Sequence, residues 1–440
     1  MTIPAYRVSP PHLPDASYQR PSDGAPPDRS RRRALLGIPA LAGALVLAPS
    51  PVCAQVWRSE GWCATWGCAP AGPPPANNTM SFGGHTLRLI VRASIGGNRL
   101  RVRLSNEMGS TPLTLGAAQI GRRSSGAAVV AGSNHPLTFG GRSSVTIPAG
   151  SPMLSDPVFM QVASFADLAI SLYFPGAAMG TTIHRDAWQA NYVSTNGNFA
   201  ANNAFTVERT IASWPFLTEV DVDGGAPSIV AVGDSITDGQ GSSTNLNRRW
   251  PDYLARRMQA ELGSMGRIGM VNRGIAGNRL LADDPNFLLP GREVLERFDR
   301  DVLATAGVRA VIVLIGINDI VYSSGSTLVK VEDLVGGYRQ MIARAHARGV
   351  AVLGATMPPM NGFVYYNAAR EAVRVGANNW LRSSNEFDAV IDWDAVLRNP
   401  SAPDRINPDY NSRDWLHPND AGYQAMAAAV PLDLLANILV

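Results

Sequence analysis

The stretch SIVAVGDSI, residues 228–236, decides the fold of the C-terminal half of the chain. An almost wholly apolar run, residues 228–232, ends at Gly233, and Asp234 and Ser235 follow at once. A continuous apolar run of this length is typical of a parallel strand that is buried on both faces. The stretch therefore predicts a buried strand that carries a serine just past its carboxyl end.

Further apolar runs follow this strand and alternate with helical periodicity. The predicted strands are 228–232, 268–271, 309–315, 350–355 and 389–393, and the predicted helices lie near 249–263, 291–304, 331–348, 365–384 and 419–437. Helices that alternate with parallel strands are the crossovers on the two faces of one sheet. The pattern predicts an α/β domain over residues 225–440, with three layers in the order α/β/α.

A second chemical signal lies near the C-terminus, where Asp414 and His417 stand three residues apart. A serine hydroxyl is a poor nucleophile at neutral pH, so it needs a base within hydrogen-bond reach and a partner that orients that base. Ser235, His417 and Asp414 could supply these groups. Each fragment alone has another reading, because Asp-Ser after a strand is a common helix N-cap and Asp-x-x-His can be a surface loop.

Two turns rich in glycine and asparagine lie between these signals, within residues 271–278 and 311–319. Gly277 can offer an unshielded backbone N–H, and Asn318 can offer its carboxamide. Such donors suit an oxyanion hole, which stabilises the charge that develops on an attacked carbonyl. The alternative is ordinary strand-to-helix turn chemistry, which favours the same two residue types.

Taken together and in this order, these segments resemble the conserved blocks of the SGNH or GDSL-type hydrolase superfamily, from about residue 228 to the C-terminus. The resemblance implies that Ser235 is the nucleophile, that His417 is the general base and then the acid, and that Asp414 orients His417. It also implies an oxyanion hole formed by Ser235, Gly277 and Asn318. The family fold is flavodoxin-like, and the resemblance implies no metal and no organic cofactor.

The sequence around these blocks is similar to that of secreted bacterial arylesterases and acylhydrolases, some of which are linked to plant polysaccharide breakdown. This similarity is carried by residues 237–239, 248–251, 276–280 and 416–423. Ile236 departs from the leucine of the GDSL signature. The resemblance implies a serine esterase for short-chain, above all acetyl, esters, with a small ester or an acylated carbohydrate as substrate. A lysophospholipase, thioesterase or lipase, and a glycan-binding protein without activity, remain open.

Residues 55–224 have a different residue pattern, with few helical periods and with short β-branched runs at 86–92, 100–104 and 168–174. This pattern predicts an antiparallel β-sandwich as an accessory domain. Its tryptophans could bind sugar rings, but packing is the favoured role. His184 could line the catalytic cleft or could be a structural histidine, and the sequence decides neither.

Residues 1–54 predict a signal peptide with a disordered N-terminal extension. An arginine cluster at 31–33 precedes an apolar stretch to Ala48, and residues 52–54 fit a signal-peptidase site. Export to the periplasm or the outside of the cell is expected, by a twin-arginine or a general secretory route. The apolar stretch is short for a membrane span, so no stable span is expected in the mature chain.

Removal of this leader would change both the net charge and the cysteine content of the chain. The net charge of +3 lies in residues 1–54, since the remainder carries equal numbers of acidic and basic residues. Nothing in it indicates nucleic-acid binding, and the oligomeric state is left open. Cleavage after Ala54 would leave only Cys63 and Cys68, for which we predict a disulfide. The rival readings are a metal site and two free thiols.

Overall fold

The computed structural model describes residues 61–284 and 289–439. The predicted signal peptide, residues 1–54, lies outside these ranges, as do residues 285–288. The described chain is β-rich up to Asp223 and has an α/β architecture from Ser228 onward. The division of the described chain into two domains near residue 225 stays a prediction.

The strands of the β-rich part are short. They are β1 (Trp62–Gly67), β2 (His85–Arg92), β3 (Gly97–Ser105), β4 (Leu113–Leu115), β5 (Ala117–Arg122), β6 (His135–Pro136), β7 (Val145–Ile147), β8 (Pro152–Leu154), β9 (Val158–Val162), β10 (Asp167–Tyr173), β11 (Ile183–His184), β12 (Asn191–Asn196), β13 (Val207–Ile211), β14 (Trp214–Pro215) and β15 (Leu217–Asp223).

Two antiparallel sheets dominate this part. One has the order β1-β15-β3-β8, with β9 also paired to β3, and the other has the order β13-β12-β2-β10-β5-β6. Alternate residues of β3, such as Val102 and Leu104, join one apolar cluster with Leu89 of β2 and Ile170 of β10. This alternation is what a strand with one buried face requires. The antiparallel, β-rich character is confirmed, while the sandwich arrangement stays a prediction.

The α/β part begins at β16. Its strands are β16 (Ser228–Gly233), β17 (Gly269–Gly274), β18 (Val308–Leu314), β19 (Ala351–Ala355), β20 (Ala389–Ile391), β21 (Arg398–Asn399) and β22 (Ala402–Ile406). Its helices are α1 (Ser235–Asp238), α2 (Trp250–Glu261), α3 (Val294–Phe298), α4 (Ile317–Val321), α5 (Val331–His346), α6 (Ala368–Ser383), α7 (Trp393–Leu397), α8 (Asp420–Ala428) and α9 (Leu432–Leu439).

The central sheet of this part is parallel throughout and has the order β17-β16-β18-β19-β20. This is the flavodoxin-like order, in which successive strands are added first on one side of the first strand and then on the other. Ligands bind at this reversal, in the crevice beyond the carboxyl ends of the strands. The fold thus places the ends of β16, β17 and β18 around one crevice.

Two predicted helices differ from the structure. The segment 291–304 forms only α3 and a π-helical turn, Asp299–Leu303. The segment 419–437 is divided into α8 and α9 around Pro431, which has no N–H to continue a helix. The five parallel strands, by contrast, lie within three residues of their predicted bounds.

The β-rich and α/β parts share one compact unit and a buried contact. Strand β1 lies beside β17, and the N–H of Ala64 donates to the carbonyl of Ala306 at 2.9 Å. Arg273 of β17 is buried and pairs with the fully buried Glu219 of β15. The sheet that leads to Ser235 therefore rests directly on the β-rich part.

The predicted disulfide between Cys63 and Cys68 is wrong. Both thiols are free and buried, with Cys63 inside β1 and Cys68 just past its end. Five residues of extended strand span roughly 16 Å, whereas a disulfide needs Cα atoms about 4.4–6.8 Å apart. The Cys63 thiol lies 3.1 Å from the hydroxyl of Ser228, and burial raises its pKa to about 11.

None of the helices in residues 61–284 and 289–439 is long and apolar enough to cross a membrane.

Candidate active site

Ser235 is the first residue of α1 and follows β16 directly. The carboxylate of Asp234 caps this helix by accepting the N–H of Ile236 at 3.0 Å. A Cβ on Gly233 would lie 2.3 Å from the carbonyl oxygen of Leu314, so only glycine allows this close approach of β16 to β18. The serine is thus held at a strand-to-helix turn, at the carboxyl edge of the sheet.

Ser235, His417 and Asp414 form a continuous chain of hydrogen bonds. The Oγ of Ser235 lies 2.7 Å from Nε2 of His417, and Nδ1 of His417 lies 2.5 Å from Oδ2 of Asp414. An imidazole in this position can accept the serine proton at Nε2 while its Nδ1–H stays with the carboxylate. The structure therefore brings together three groups that are 182 residues apart at their extremes in sequence.

Both carboxylate oxygens of Asp414 take part in hydrogen bonds with its own loop. Oδ1 of Asp414 accepts the N–H groups of Leu416 and His417, at 3.0 and 2.9 Å. Arg413 and Trp415 have φ angles of +95° and +65°, which L-residues rarely adopt. Burial opposes ionisation of Asp414, but its hydrogen bonds and the charge of His417 outweigh burial and lower its pKa to about 2. The group is ionised at neutral pH.

Gly277 lies in the turn after β17 with a φ angle of +83°. The neighbouring N–H groups are both engaged, since Ala276 donates to Oδ2 of Asp238 and Asn278 donates to the carbonyl of Ile275. Within the part of the chain that the structure describes, the N–H of Gly277 has no protein acceptor. This N–H is therefore available to a substrate.

Asn318 belongs to α4, directly after β18, and is buried. Its Nδ2 donates one hydrogen to the carbonyl of Asn278 at 2.9 Å. A carboxamide nitrogen carries two hydrogens, so the second remains for another acceptor. Since Asn318 and Gly277 both line the cleft of Ser235, the predicted donors are brought together with the serine.

A buried arginine that the sequence analysis missed ties these turns together. Arg297 of α3 donates to Oδ1 of Asn278 at 2.9 and 3.0 Å and to the carbonyl of Gly233 at 3.1 Å. Its charge is met by Asp301, at 3.0 Å. An arginine within a helical pattern reads like any exposed charge, so no signal in the sequence distinguishes it.

The cleft above Ser235 has a volume of about 360 Å³. Tyr322 on its wall is half exposed, its ring centroid lies 5.7 Å from that of Tyr365, and the guanidinium of Arg279 lies 5.1 Å from the Tyr322 ring. The other lining residues, besides the five predicted site residues, are Arg185, Gln240, Ala276, Asp284, Pro290, Phe363 and Leu416. The wall of the cleft thus presents both aromatic side chains and guanidinium groups.

The structure also decides between the alternatives that the sequence left open for His184 and for the tryptophans. Arg185 lines the cleft, whereas its neighbour His184 is buried behind it. Trp66 and Trp214 are buried and pack edge to face, with ring centroids 5.0 Å apart. The packing role is therefore confirmed for these two tryptophans.

The comparisons with known proteins agree with the chemistry of this site. Residues 231–425 match the model of the GDSL-like lipase/acylhydrolase family. No curated protein matches the chain. Among solved structures, the chain is similar to an aryl esterase of M. smegmatis, at 16% identity and a TM-score of 0.38 over 49% of this chain and 100% of that chain.

Two further solved structures are similar at the same level. An acetyl xylan esterase variant from Geobacillus stearothermophilus has 19% identity and a TM-score of 0.37, over 47% of this chain and 94% of that chain. A GDSL-like lipase from Bacteroides thetaiotaomicron has 19% identity and a TM-score of 0.34, over 47% of this chain and 87% of that chain.

The class of protein is a hydrolase with an α/β fold. It is defined by the parallel sheet, the serine at its carboxyl edge and the histidine beside that serine. The α/β part is, more narrowly, a domain of the GDSL-like lipase/acylhydrolase family, as the sequence predicts. The chain is a carboxylic ester hydrolase.

Proposed function

We propose that the chain is an exported serine esterase that removes short acyl groups, above all acetyl groups, from carbohydrate. The observation that carries the proposal is the hydrogen-bonded chain from Ser235 through His417 to Asp414, at 2.7 and 2.5 Å. Such a chain has no use in a protein that only binds a glycan, because it serves to move a proton.

In the first step, Oγ of Ser235 forms a bond to the ester carbonyl carbon while Nε2 of His417 takes the hydroxyl proton. The oxyanion is stabilised by the N–H groups of Ser235 and Gly277 and by the free amide hydrogen of Asn318. The carbonyl re-forms, the bond to the alcohol breaks, and His417 gives its proton to the departing alkoxide oxygen. An acyl-serine remains.

In the second step, water takes the place of the alcohol. His417 removes a proton from water as the new C–O bond forms, the same donors stabilise the second oxyanion, and Ser235 leaves with the proton that His417 returns. Asp414 is ionised throughout, since its pKa is about 2, and it stabilises the imidazolium at each stage.

The walls of the cleft support a carbohydrate as the alcohol. A sugar ring can place its apolar face on an aromatic side chain such as Tyr322 while its hydroxyl groups accept hydrogen bonds from a guanidinium such as that of Arg279. Pro290, Phe363 and Leu416 are the larger apolar side chains of the wall among the described residues.

Export rests on residues 1–54 alone. Fractionation of a cell that expresses the full chain, followed by N-terminal sequencing of the product, tests it. A mature chain that starts at Gln55 outside the cytoplasm is expected, and an uncleaved cytoplasmic chain would overturn the proposal.

The activity is tested with purified residues 55–440 on p-nitrophenyl acetate, butyrate and octanoate, and by acetate release from acetylated xylan. Ser235→Ala should abolish turnover, while Ser401→Ala, at an exposed serine outside the cleft, should leave it unchanged. Preference for acetate together with release from xylan supports the proposal. Preference for octanoate would indicate a lipase or lysophospholipase, and folded protein without activity would indicate a binding protein.

A further inference from the structure

A buried ion pair links the β-rich part to the helix that carries Ser235. His184 of β11 places Nε2 at 3.0 Å from Oδ1 of Asp238, the last residue of α1. Each side chain is only 3% exposed. Neither residue lines the cleft, so the pair does not touch a substrate.

Both ring nitrogens of His184 face acceptors. Nε2 faces the carboxyl group of Asp238, and Nδ1 lies 2.9 Å from the carbonyl oxygen of Ala69. A neutral imidazole carries one N–H, and the imidazolium carries two. Burial lowers the pKa of His184, but the charge and hydrogen bond of Asp238 outweigh burial and raise it. These contacts favour the protonated form of the His184 ring.

The second oxygen of Asp238 reaches the turn that contains Gly277. Oδ2 of Asp238 accepts the N–H of Ala276 at 2.9 Å. A Cβ on Gly274 would lie 2.3 Å from the backbone nitrogen of Asp238, so α1 and the end of β17 are in direct contact. Asp238 therefore joins the helix that begins at Ser235 to the residue before Gly277.

We propose that His184 and Asp238 are a positioning pair, which sets the distance between the N–H groups of Ser235 and Gly277 and so shapes the oxyanion hole. The inference rests on the proposed function. Asp238 fixes the turn through Ala276, and His184 fixes the rotamer of Asp238 from the β-rich part. The β-rich part thus contributes to the stabilisation of the transition state, without any contact to substrate.

This role predicts a loss of kcat rather than of substrate binding. Asp238→Ala frees the N–H of Ala276 and lets the Gly277 turn move, which should lower kcat about a hundredfold, as for loss of an oxyanion donor, and should change KM less than about threefold. The inhibition constant of butylboronic acid, which forms a tetrahedral adduct with serine, should rise with the loss of kcat/KM.

The conservative variant Asp238→Asn should rescue the reaction. Its amide oxygen can accept the N–H of Ala276, and its NH2 can donate to a neutral His184 that still donates to Ala69. Its kcat should stay within about fivefold of the unsubstituted protein. His184→Ala, which removes the support of Asp238 and leaves the carboxylate in place, should lower kcat about tenfold.

Ser94→Ala is the matched control. Oγ of Ser94 accepts the N–H of Met270 at 2.9 Å, so it is another buried hydrogen bond between the β-rich part and β17, and it lies outside the catalytic cleft. This variant should lower Tm and leave kcat unchanged.

The experiment measures kcat, KM, boronate inhibition and Tm of all these variants as residues 55–440. A folded Asp238→Ala or His184→Ala variant that keeps kcat within about twofold would overturn the inference, as would an Asp238→Asn variant as impaired as Asp238→Ala. If Asp238→Ala does not fold, His184→Ala and Asp238→Asn decide. Failure of the proposed function is seen separately, as activity that does not depend on Ser235.

Discussion

At the residue scale, the carboxamide of Asn318 has one hydrogen that is bonded within the protein and one that is available to a substrate. One hydrogen goes to the carbonyl of Asn278 and the other faces the cleft. Asn318→Ala should lower kcat by about a hundredfold to a thousandfold, if the amide donates to the oxyanion. Steady-state kinetics on p-nitrophenyl acetate measures this, with Tm as a check on folding. A loss below about tenfold would remove Asn318 from the oxyanion hole.

Asp234, next to Ser235 in the chain, predicts a pH dependence of the protein's stability. Burial, reinforced by the charge of Asp319, raises its pKa to about 7, and its Oδ2 has no partner among the described residues. Because the folded pKa lies above the unfolded value of about 3.9, its stabilising contribution is complete below that value and is lost as the pH rises through 7.

Asp234→Asn should therefore gain stability relative to the unsubstituted protein as the pH rises. Asparagine caps a helix as well as aspartate does, so the hydrogen bond to Ile236 can be kept. The difference in Tm between variant and parent should grow from pH 5 to pH 8. A difference that is constant across this range would show that Asp234 does not titrate there.

At the scale of elements, α4 depends on the conformation of the glycine before it. Gly316 has a φ angle of +121°, and a Cβ there would lie 2.9 Å from Oη of Tyr338, which is itself fixed by a 2.7 Å bond to the carbonyl of Ile315. Gly316→Ala should lower the free energy of unfolding by roughly 1–3 kcal/mol. It should also lower kcat, because α4 carries Asn318.

Gly336→Ala is the matched control for this prediction. Gly336 lies within α5, is exposed and has open space around its Cβ position. Alanine should stabilise this helix by about 0.5–1 kcal/mol and leave kcat unchanged. Urea unfolding and steady-state kinetics on both variants measure the contrast. Equal effects of the two substitutions would contradict the role given to Gly316.

The sequence predicts elements well where burial leaves a clear pattern. The strands of the parallel sheet are largely apolar on both faces, and β16 and β17 end at glycine, so their positions could be predicted. Helices α1, α4 and α7 have four or five residues each, which is too short for a helical period to show. Pro431 marks the division of the last helix, although apolar periodicity continues on either side of it.

The residues of the candidate site also fall into those that a sequence pattern reveals and those that it does not. Ser235, Gly277 and Asn318 each follow a strand, so adjacency in the chain reveals them. Arg297 and His184 act only through contacts with distant turns, and no local pattern distinguishes them from other polar residues. The prediction of a disulfide failed because an even count and a short spacing do not show that the chain between Cys63 and Cys68 is an extended strand, which keeps the two residues apart.

At the scale of the whole molecule, the contact between the β-rich and α/β parts contains an ion pair with almost no access to water. Arg273 also donates to carbonyl groups of Cys68 and Thr218. Glu219→Ala leaves this guanidinium without its charged partner, which should lower the free energy of unfolding by about 3–5 kcal/mol. Glu208→Ala, at an exposed site on β13, should change it by less than about 0.5 kcal/mol.

Urea unfolding of these two variants measures the difference. Equal stability of Glu219→Ala and the unsubstituted protein would show that solvent reaches Arg273 and that the contact between the two parts is loose.

Removal of the β-rich part should abolish or strongly reduce activity. Residues 225–440 alone expose the face of β17 that β1 covers and lose His184, so we expect aggregation or a folded protein with strongly reduced kcat. Expression of residues 225–440 beside 55–440, with solubility and kinetics as readouts, tests this. A soluble, fully active 225–440 would show that the α/β part folds and acts alone.

Strand β1 pairs with β15, so the first and last long strands of the β-rich part close against each other. A chain is synthesised from its N-terminus, and its regions fold in that order. This sheet can therefore be complete before any residue of the Ser235, His417 and Asp414 set has left the ribosome. We therefore expect the parallel sheet to form against an existing surface, which would cover the apolar face of β17 before it contacts other chains.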